Sequence, residues 1–209
     1  MIKAILFDMD GVLIDAKDWH YEALNIALQL FGEIISRDAH LTTFDGLPTR
    51  TKLQMLSNSR GLPNRLHSLI NQVKQKHTIS LTHQHCRPKF NHQYAMSRLK
   101  ADGRKIGVCS NSIRNTIITM MGLAALESYL DVIYSNEDVE RGKPDPEMYL
   151  RAMSDLDVSP TETLILEDNE HGLEAARKSG AHVLKIGTPA DVSYELINDR
   201  IEMLERGEY

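Results

Sequence analysis

At 209 residues, with 42 % hydrophobic and 25 % charged residues, the chain has a soluble globular profile and room for one large domain or a core with a smaller insert. A formal net charge of −5 offers no basic face for nucleic acid, and no apolar run approaches the roughly 18 residues of a membrane span. The opening MIKAILFDMDG meets acids after a few apolar residues and does not read as a signal peptide, so the two cysteines, Cys86 and Cys109, are expected as free thiols in a reducing, cytoplasmic setting.

The first predicted strand is IKAILF, residues 2–7, a nearly continuous apolar run suited to a parallel strand buried on both faces. From Lys17 to about Lys76 the spacing becomes helical: YEALNIALQLFG, TKLQMLSNSRGLP and NRLHSLINQVKQKH, with FDGLPT and GLPN as turns. HTISLTHQHCRPKFNH is expected as a hinge whose polar residues face solvent. Its histidines (His77, His83, His85, His92) and Cys86 follow no compact metal-ligand spacing. After about Phe90 strands and helices alternate: helix YAMSRLKADG, strand KIGVCS, helix NTIITMMGL, strand DVIYS, helix DPEMYLRAMSDL, strand TLILED, helix GLEAARKSG, strand HVLKIG and a final helix in DVSYELINDRIEMLERG.

Such alternation implies right-handed βαβ units, hence an α/β fold with a Rossmann-like parallel sheet. Residues 1–15 and 89–209 are expected to form that core, and residues 16–88 an inserted α-helical cap. Polar groups recur where strands end: Asp8 and Asp10, Ser110 and Asn111, Glu167 and Asp168. Ligands in open α/β sheets bind at the carboxyl ends of the strands, so these groups are expected to share one crevice.

Asp8 and Asp10, two positions apart, point to the same side of a strand end and repel each other unless a cation or proton intervenes. With Glu167 and Asp168 they make a hard, oxygen-rich site suited to Mg²⁺. Phosphate is the natural anionic companion of such an ion. Lys143 can neutralise remaining charge, Ser110 can donate its hydroxyl to a phosphoryl oxygen, and amides around Asn111 can add donors. One aspartate then attacks phosphorus to give an aspartyl-phosphate, while the other serves as acid and base.

Four segments in this order, DMDGV, CSNS, GKPDPEMY and LILEDNEHGLEAA, resemble the motifs of the haloacid dehalogenase superfamily of phosphohydrolases, in the branch with a helical cap after the first strand. The resemblance spans essentially the whole chain. It implies Asp8 as nucleophile and Asp10 as acid/base. It further implies Mg²⁺ held by the Asp8 side chain, the Asp10 carbonyl and Asp168, with Glu167 direct or through water. An acid at position 10 argues against dehalogenation.

The cap sets two readings side by side. DGVLIDAKDWH resembles the start of the cap in sugar-phosphate mutases and phosphatases, with Asp15 and His20 at matching offsets. FDGLPTR resembles the mutase loop that touches substrate, but it has Asp45 where the mutase has lysine, and Arg50 one place further along; Ile113 and Arg114 replace a Lys-Asn pair. Arg50 and Arg114 are expected to grip an anionic part of the substrate. Trp19, His20, Asp45, Thr49, Arg50, Lys74 and Lys76 are the expected specificity residues. The expected function is a Mg²⁺-dependent phosphatase of a small phosphorylated metabolite, a sugar or polyol phosphate. The alternatives are a phosphomutase of the β-phosphoglucomutase type or a non-catalytic regulatory protein. Neither nucleic acid nor membrane is an expected partner, and the chain is expected as a monomer or weak homodimer.

Overall fold

The computed structural model describes residues 1–207. Its sheet is parallel throughout, in the order β3-β2-β1-β4-β5, with β1 at Ala4–Phe7, β2 at Lys105–Cys109, β3 at Val132–Tyr134, β4 at Thr163–Glu167 and β5 at His182–Lys185. The central strand shows why such runs read as continuously apolar. Ile5 and Phe7 pack on one side of the sheet, Ala4 and Leu6 on the other.

The first side is covered by α5 (Phe90–Ala101), α6 (Arg114–Leu123) and α9 (Tyr194–Glu205), which contribute Met96, Leu99, Met120 and Ile197 to its core. The second is covered by α7 (Glu147–Asp155) and α8 (Glu170–Lys178), through Met148, Tyr149, Ala152 and Ala176. Each helix buries a stripe at helical spacing, so the sheet lies between two apolar layers.

Between β1 and α5 the chain forms α1 (Lys17–Gln29), the single turn α2 (Arg37–Ala39) running into a π-helical turn (His40–Phe44), α3 (Thr49–Arg60) and α4 (His67–His85). These helices enclose a separate core of Leu24, Leu28, Ile35, Phe44, Leu53, Leu56 and Ile70. Buried Asn25 ties it together: its Nδ2 donates to the Ile35 carbonyl at 2.9 Å, and its Oδ1 accepts from the Ile35 amide at 2.8 Å. A side-chain amide thereby satisfies both polar backbone groups of a buried residue outside any helix or strand.

The segment 77–92 differs from the expected solvent-facing hinge. Helix α4 runs on through His85 because Ile70, Lys74, Thr78 and Leu81 continue a buried stripe. The Thr78 and Thr82 hydroxyls donate back to the carbonyls four residues earlier, at 3.0 and 2.8 Å. Cys86 is buried. His92 is buried too and donates to the Pro189 carbonyl at 2.6 Å. The link between α4 and α5 is therefore only residues 86–89. No helix among the described residues is long and apolar enough to cross a membrane.

Candidate active site

At the end of β1 the Asp8 amide donates to the Leu166 carbonyl at 2.9 Å, which holds the carboxylate beside the end of β4. The Asp8 side chain is buried, and Lys143 Nζ reaches its Oδ1 at 2.6 Å. The same ammonium donates to Glu167 Oε1 at 2.6 Å and to the Cys109 carbonyl at 2.8 Å. Tyr149 Oη completes the Glu167 environment, donating to Oε1 at 2.6 Å. Burial, then the charge of Glu167, pushes the Asp8 carboxyl well above the ordinary aspartate value, against the pull of Lys143. Burial acts to lower the Lys143 ammonium, but Asp8 and Glu167 outweigh it and hold it above the usual lysine range.

Asp8, Glu167 and Asp168 offer carboxylate oxygens that all lie within 4.8 Å of one another. Among the described residues this is the one group of three His, Cys, Asp or Glu side chains close enough to share an ion. Two glycines make room for it. Gly11 has φ +95°, and a Cβ there would come within 2.0 Å of Asp168 Oδ2. A Cβ on Gly172 would come within 1.9 Å of Glu167 Oε1.

Asp10 faces a different set of groups. Ser112 Oγ donates to its Oδ2 at 3.1 Å, and His20 Nε2 lies 3.2 Å from its Oδ1. The second contact is close but poorly aligned, so neither Oδ1 nor Nε2 has a hydrogen-bond partner. Behind His20, Lys74 Nζ is 3.2 Å from Nδ1. Burial tends to raise the Asp10 carboxyl, but His20, Ser112 and the Lys74 charge together hold it below its ordinary value. Burial is also the main cause that lowers His20.

These groups open onto a cavity of about 270 Å³ between the sheet's carboxyl edge and the helices that follow β1. Ser110 and Lys143 line its floor; Lys52, Lys74 and His40 line the helical side, with Arg50 at the exposed end. Burial lowers Lys52 to about 8, Lys74 to about 7 and His40 to about 4. His40 is 2 % exposed, yet neither ring nitrogen has a hydrogen-bond partner.

The structure thus brings together Asp8, Asp10, Ser110, Asn111, Lys143, His20 and Arg50 around the cavity, with Glu167 and Asp168 beneath it. Arg114 is placed elsewhere. Its guanidinium donates to Asp138 Oδ1 at 2.8 Å and to the Ile133 carbonyl at 3.1 Å. Ile113, the extended residue just before α6, lines the cavity instead, while Arg114 opens the helix and turns to Asp138. Asn111 is used mainly to join loops: Oδ1 accepts from the Lys143 amide at 3.0 Å and Nδ2 donates to the Gly46 carbonyl at 3.1 Å. Trp19 stacks on His85 at 5.9 Å, and Lys76 is exposed, so neither lines the cavity. Sequence reasoning passed over Lys17, His40, Lys52, Ser112 and Tyr149. Of these only Ser112 and Tyr149 carried a signal, being inside the CSNS and GKPDPEMY segments.

A family model described as haloacid dehalogenase-like hydrolase matches residues 5–186. The chain is 27 % identical over 179 residues to a phosphorylated carbohydrates phosphatase of Thermotoga maritima, covering 86 % of this chain and 82 % of that protein. It is 27 % identical over 194 residues to a β-phosphoglucomutase of Bacillus subtilis, covering 89 % and 84 %. In fold it is similar to the crystal structure of β-phosphoglucomutase from Clostridium difficile, with a TM-score of 0.86 at 20 % identity over 99 % of this chain and 100 % of that one.

Proposed function

The chain belongs to the haloacid dehalogenase-like hydrolases and acts on phosphate esters, and from that premise we propose a Mg²⁺-dependent phosphatase of a small sugar or polyol phosphate that works through an aspartyl-phosphate on Asp8. The observation that carries this reading is the cluster of three carboxylates, Asp8, Glu167 and Asp168, of which Lys143 pairs with the first two and Lys17 with the third. Two ammoniums against three carboxylates leave negative charge in excess, and the hard oxygen donor set fits a divalent ion. The Asp8 and Asp168 side chains and the Asp10 carbonyl would hold Mg²⁺, with Glu167 direct or through water. When bound, the ion supplies charge neutralisation between nucleophile and phosphoryl group.

The chain's own residues supply the rest. Lys143 aims Asp8 and keeps it from turning toward Glu167. Ser110 and Lys143 on the floor receive the phosphoryl oxygens. An Asp8 oxygen forms the bond to phosphorus as the bond to the leaving oxygen breaks, and Asp10 delivers a proton to that oxygen. Asp10 then takes a proton from the water that attacks the phospho-aspartate, releasing phosphate and restoring Asp8. Residues 1–15 and 89–209 form the catalytic core in this reading, and residues 16–88 a cap that limits access to small substrates. Lys52 and Lys74 line the cap side, which supports an anionic ligand. The free thiols Cys86 and Cys109 support a cytoplasmic setting.

A second reading, a sugar phosphomutase, is favoured by the Lys74–His20–Asp10 series, which can accept a proton from a sugar hydroxyl as readily as from water. The purified protein is tested with p-nitrophenyl phosphate, a panel of phosphorylated metabolites and β-glucose 1-phosphate. Mg²⁺-dependent release of phosphate supports the phosphatase. Conversion of β-glucose 1-phosphate to glucose 6-phosphate supports the mutase, and turnover unaffected by Asp8→Asn overturns both.

A further inference from the structure

We infer that Lys17 is a positioning residue of the metal centre: its ammonium shares the Asp168 carboxylate with the ion and links that carboxylate to Asp45 across the cavity mouth. The inference rests on the proposed role of Asp168 as a metal ligand. Lys17 Nζ lies 2.8 Å from Asp168 Oδ2 and 3.5 Å from Asp45 Oδ2. The Asp168 side chain is 1 % exposed, while that of Lys17 is 33 % exposed. The other ammonium of the floor, Lys143, is occupied by Asp8 and Glu167. Asp168 otherwise has only Asn169 Nδ2, 3.2 Å from its Oδ1. Gly11 keeps the slot open, since a Cβ there would come within 3.0 Å of Lys17 Cε as well as striking Asp168.

The partners of Lys17 lie on opposite sides of the cavity. Asp168 follows β4, whereas Asp45 sits in the loop before α3. That loop touches the sheet side at two further points: the Gly46 carbonyl accepts from Asn111 Nδ2 at 3.1 Å, and a Cβ on Gly46 would come within 2.8 Å of Asn169 Oδ1. Lys17 is therefore one strand of a strap between the metal floor and the cap loop.

The sign of the effect follows from charge. A cation 2.8 Å from a ligand carboxylate opposes a divalent ion at that carboxylate. Asp45 offsets part of that cation, so docking of the cap loop favours the ion. By reciprocity the ion favours docking of the loop. Lys17 is the charged contact between the 45–46 loop and the metal floor.

Mg²⁺ binding to the full chain, followed by isothermal titration calorimetry with Mn²⁺ electron paramagnetic resonance as a second readout, tests this. Lys17→Met tightens the metal Kd about tenfold, within the usual range of site-to-site coupling. Lys17→Arg stays near wild type. Asp45→Asn weakens binding several-fold in the wild-type background and clearly less in the Lys17→Met background, because most of its influence passes through Lys17. Should the methionine variant fail to fold, Lys17→Gln carries the same expectation. Unchanged or weaker binding in Lys17→Met or Lys17→Gln, or additive effects in the double variant, overturns the inference. If Asp168→Asn leaves the wild-type Kd unaltered, the metal assignment itself fails.

Discussion

Lys143 Nζ lies 2.6 Å from Asp8 Oδ1 and is equally close to Glu167 Oε1, so the proposed nucleophile and a neighbouring acid share one counter-ion. Asp8 carries the penalty of that arrangement. Burial first, and the Glu167 charge second, raise its pKa well above 3.8, so the folded chain holds a proton there to higher pH than the unfolded chain. Stability from this proton is present at acid pH and is lost as pH rises through the folded pKa. Asp8→Asn avoids the loss. The metal-free variant is expected to melt higher than wild type near neutrality, with a difference that shrinks toward pH 3.8, while p-nitrophenyl phosphate turnover falls by roughly 10⁴-fold or more. Tm against pH, alongside a phosphate-release assay, checks both halves.

Removing the shared cation has the opposite effect on stability. Lys143→Met leaves two buried carboxylates together and should destabilise the metal-free protein by about 3–5 kcal/mol. Tyr149→Phe removes one donor from Glu167 but leaves Lys143, so the expected loss is smaller, about 1.5–3 kcal/mol. Denaturant unfolding of the two variants gives the ranking, and a Tyr149→Phe protein as stable as wild type would refute the assigned role of its hydroxyl.

His20 is the nearest positive influence on Asp10. His20→Asn should lower kcat by about 10²-fold, the usual scale for a group that assists proton transfer. It should also move the pH–rate limb set by Asp10 upward, because Asp10 loses one of the groups that hold its pKa down. A profile that keeps its limb while kcat falls would point to a purely steric role.

Lys52 is 7 % exposed and has no ion-pair partner among the described residues. Burial lowers its pKa from 10.5 to about 8, so its charge opposes folding below about pH 8, and the opposition fades as pH rises to 10.5. Lys52→Met should therefore stabilise the protein at neutral pH by about 3 kcal/mol, a gain that vanishes near pH 10.5. The same change should raise KM for the substrate, because the cavity loses a cation on its helical side. Thermal melts across pH and steady-state kinetics measure the two effects.

Most of the floor of the site was legible from residue order. Asp8, Ser110, Glu167 and Asp168 sit at or just past strand ends, and parallel strands place all such ends on one edge of the sheet. Helices were legible wherever apolar residues recur at helical spacing, as in α1 and α7. The continuation of α4 through His85 was not, because the face it buries carries Lys74, Thr78 and Thr82, polar residues that periodicity counts as exposed.

The amino-acid order by itself therefore determined the fold class and the gathering of the strand-end acids on one edge of the sheet, since these depend on local spacing and on the handedness of βαβ units. Only the tertiary structure decided that Arg50 faces the cavity while Arg114 pairs with Asp138, that Lys52 and His40 are buried at the site, and that Lys17 touches Asp168. Those outcomes depend on which way side chains turn and on contacts between segments distant in the chain, and one-dimensional spacing carries neither.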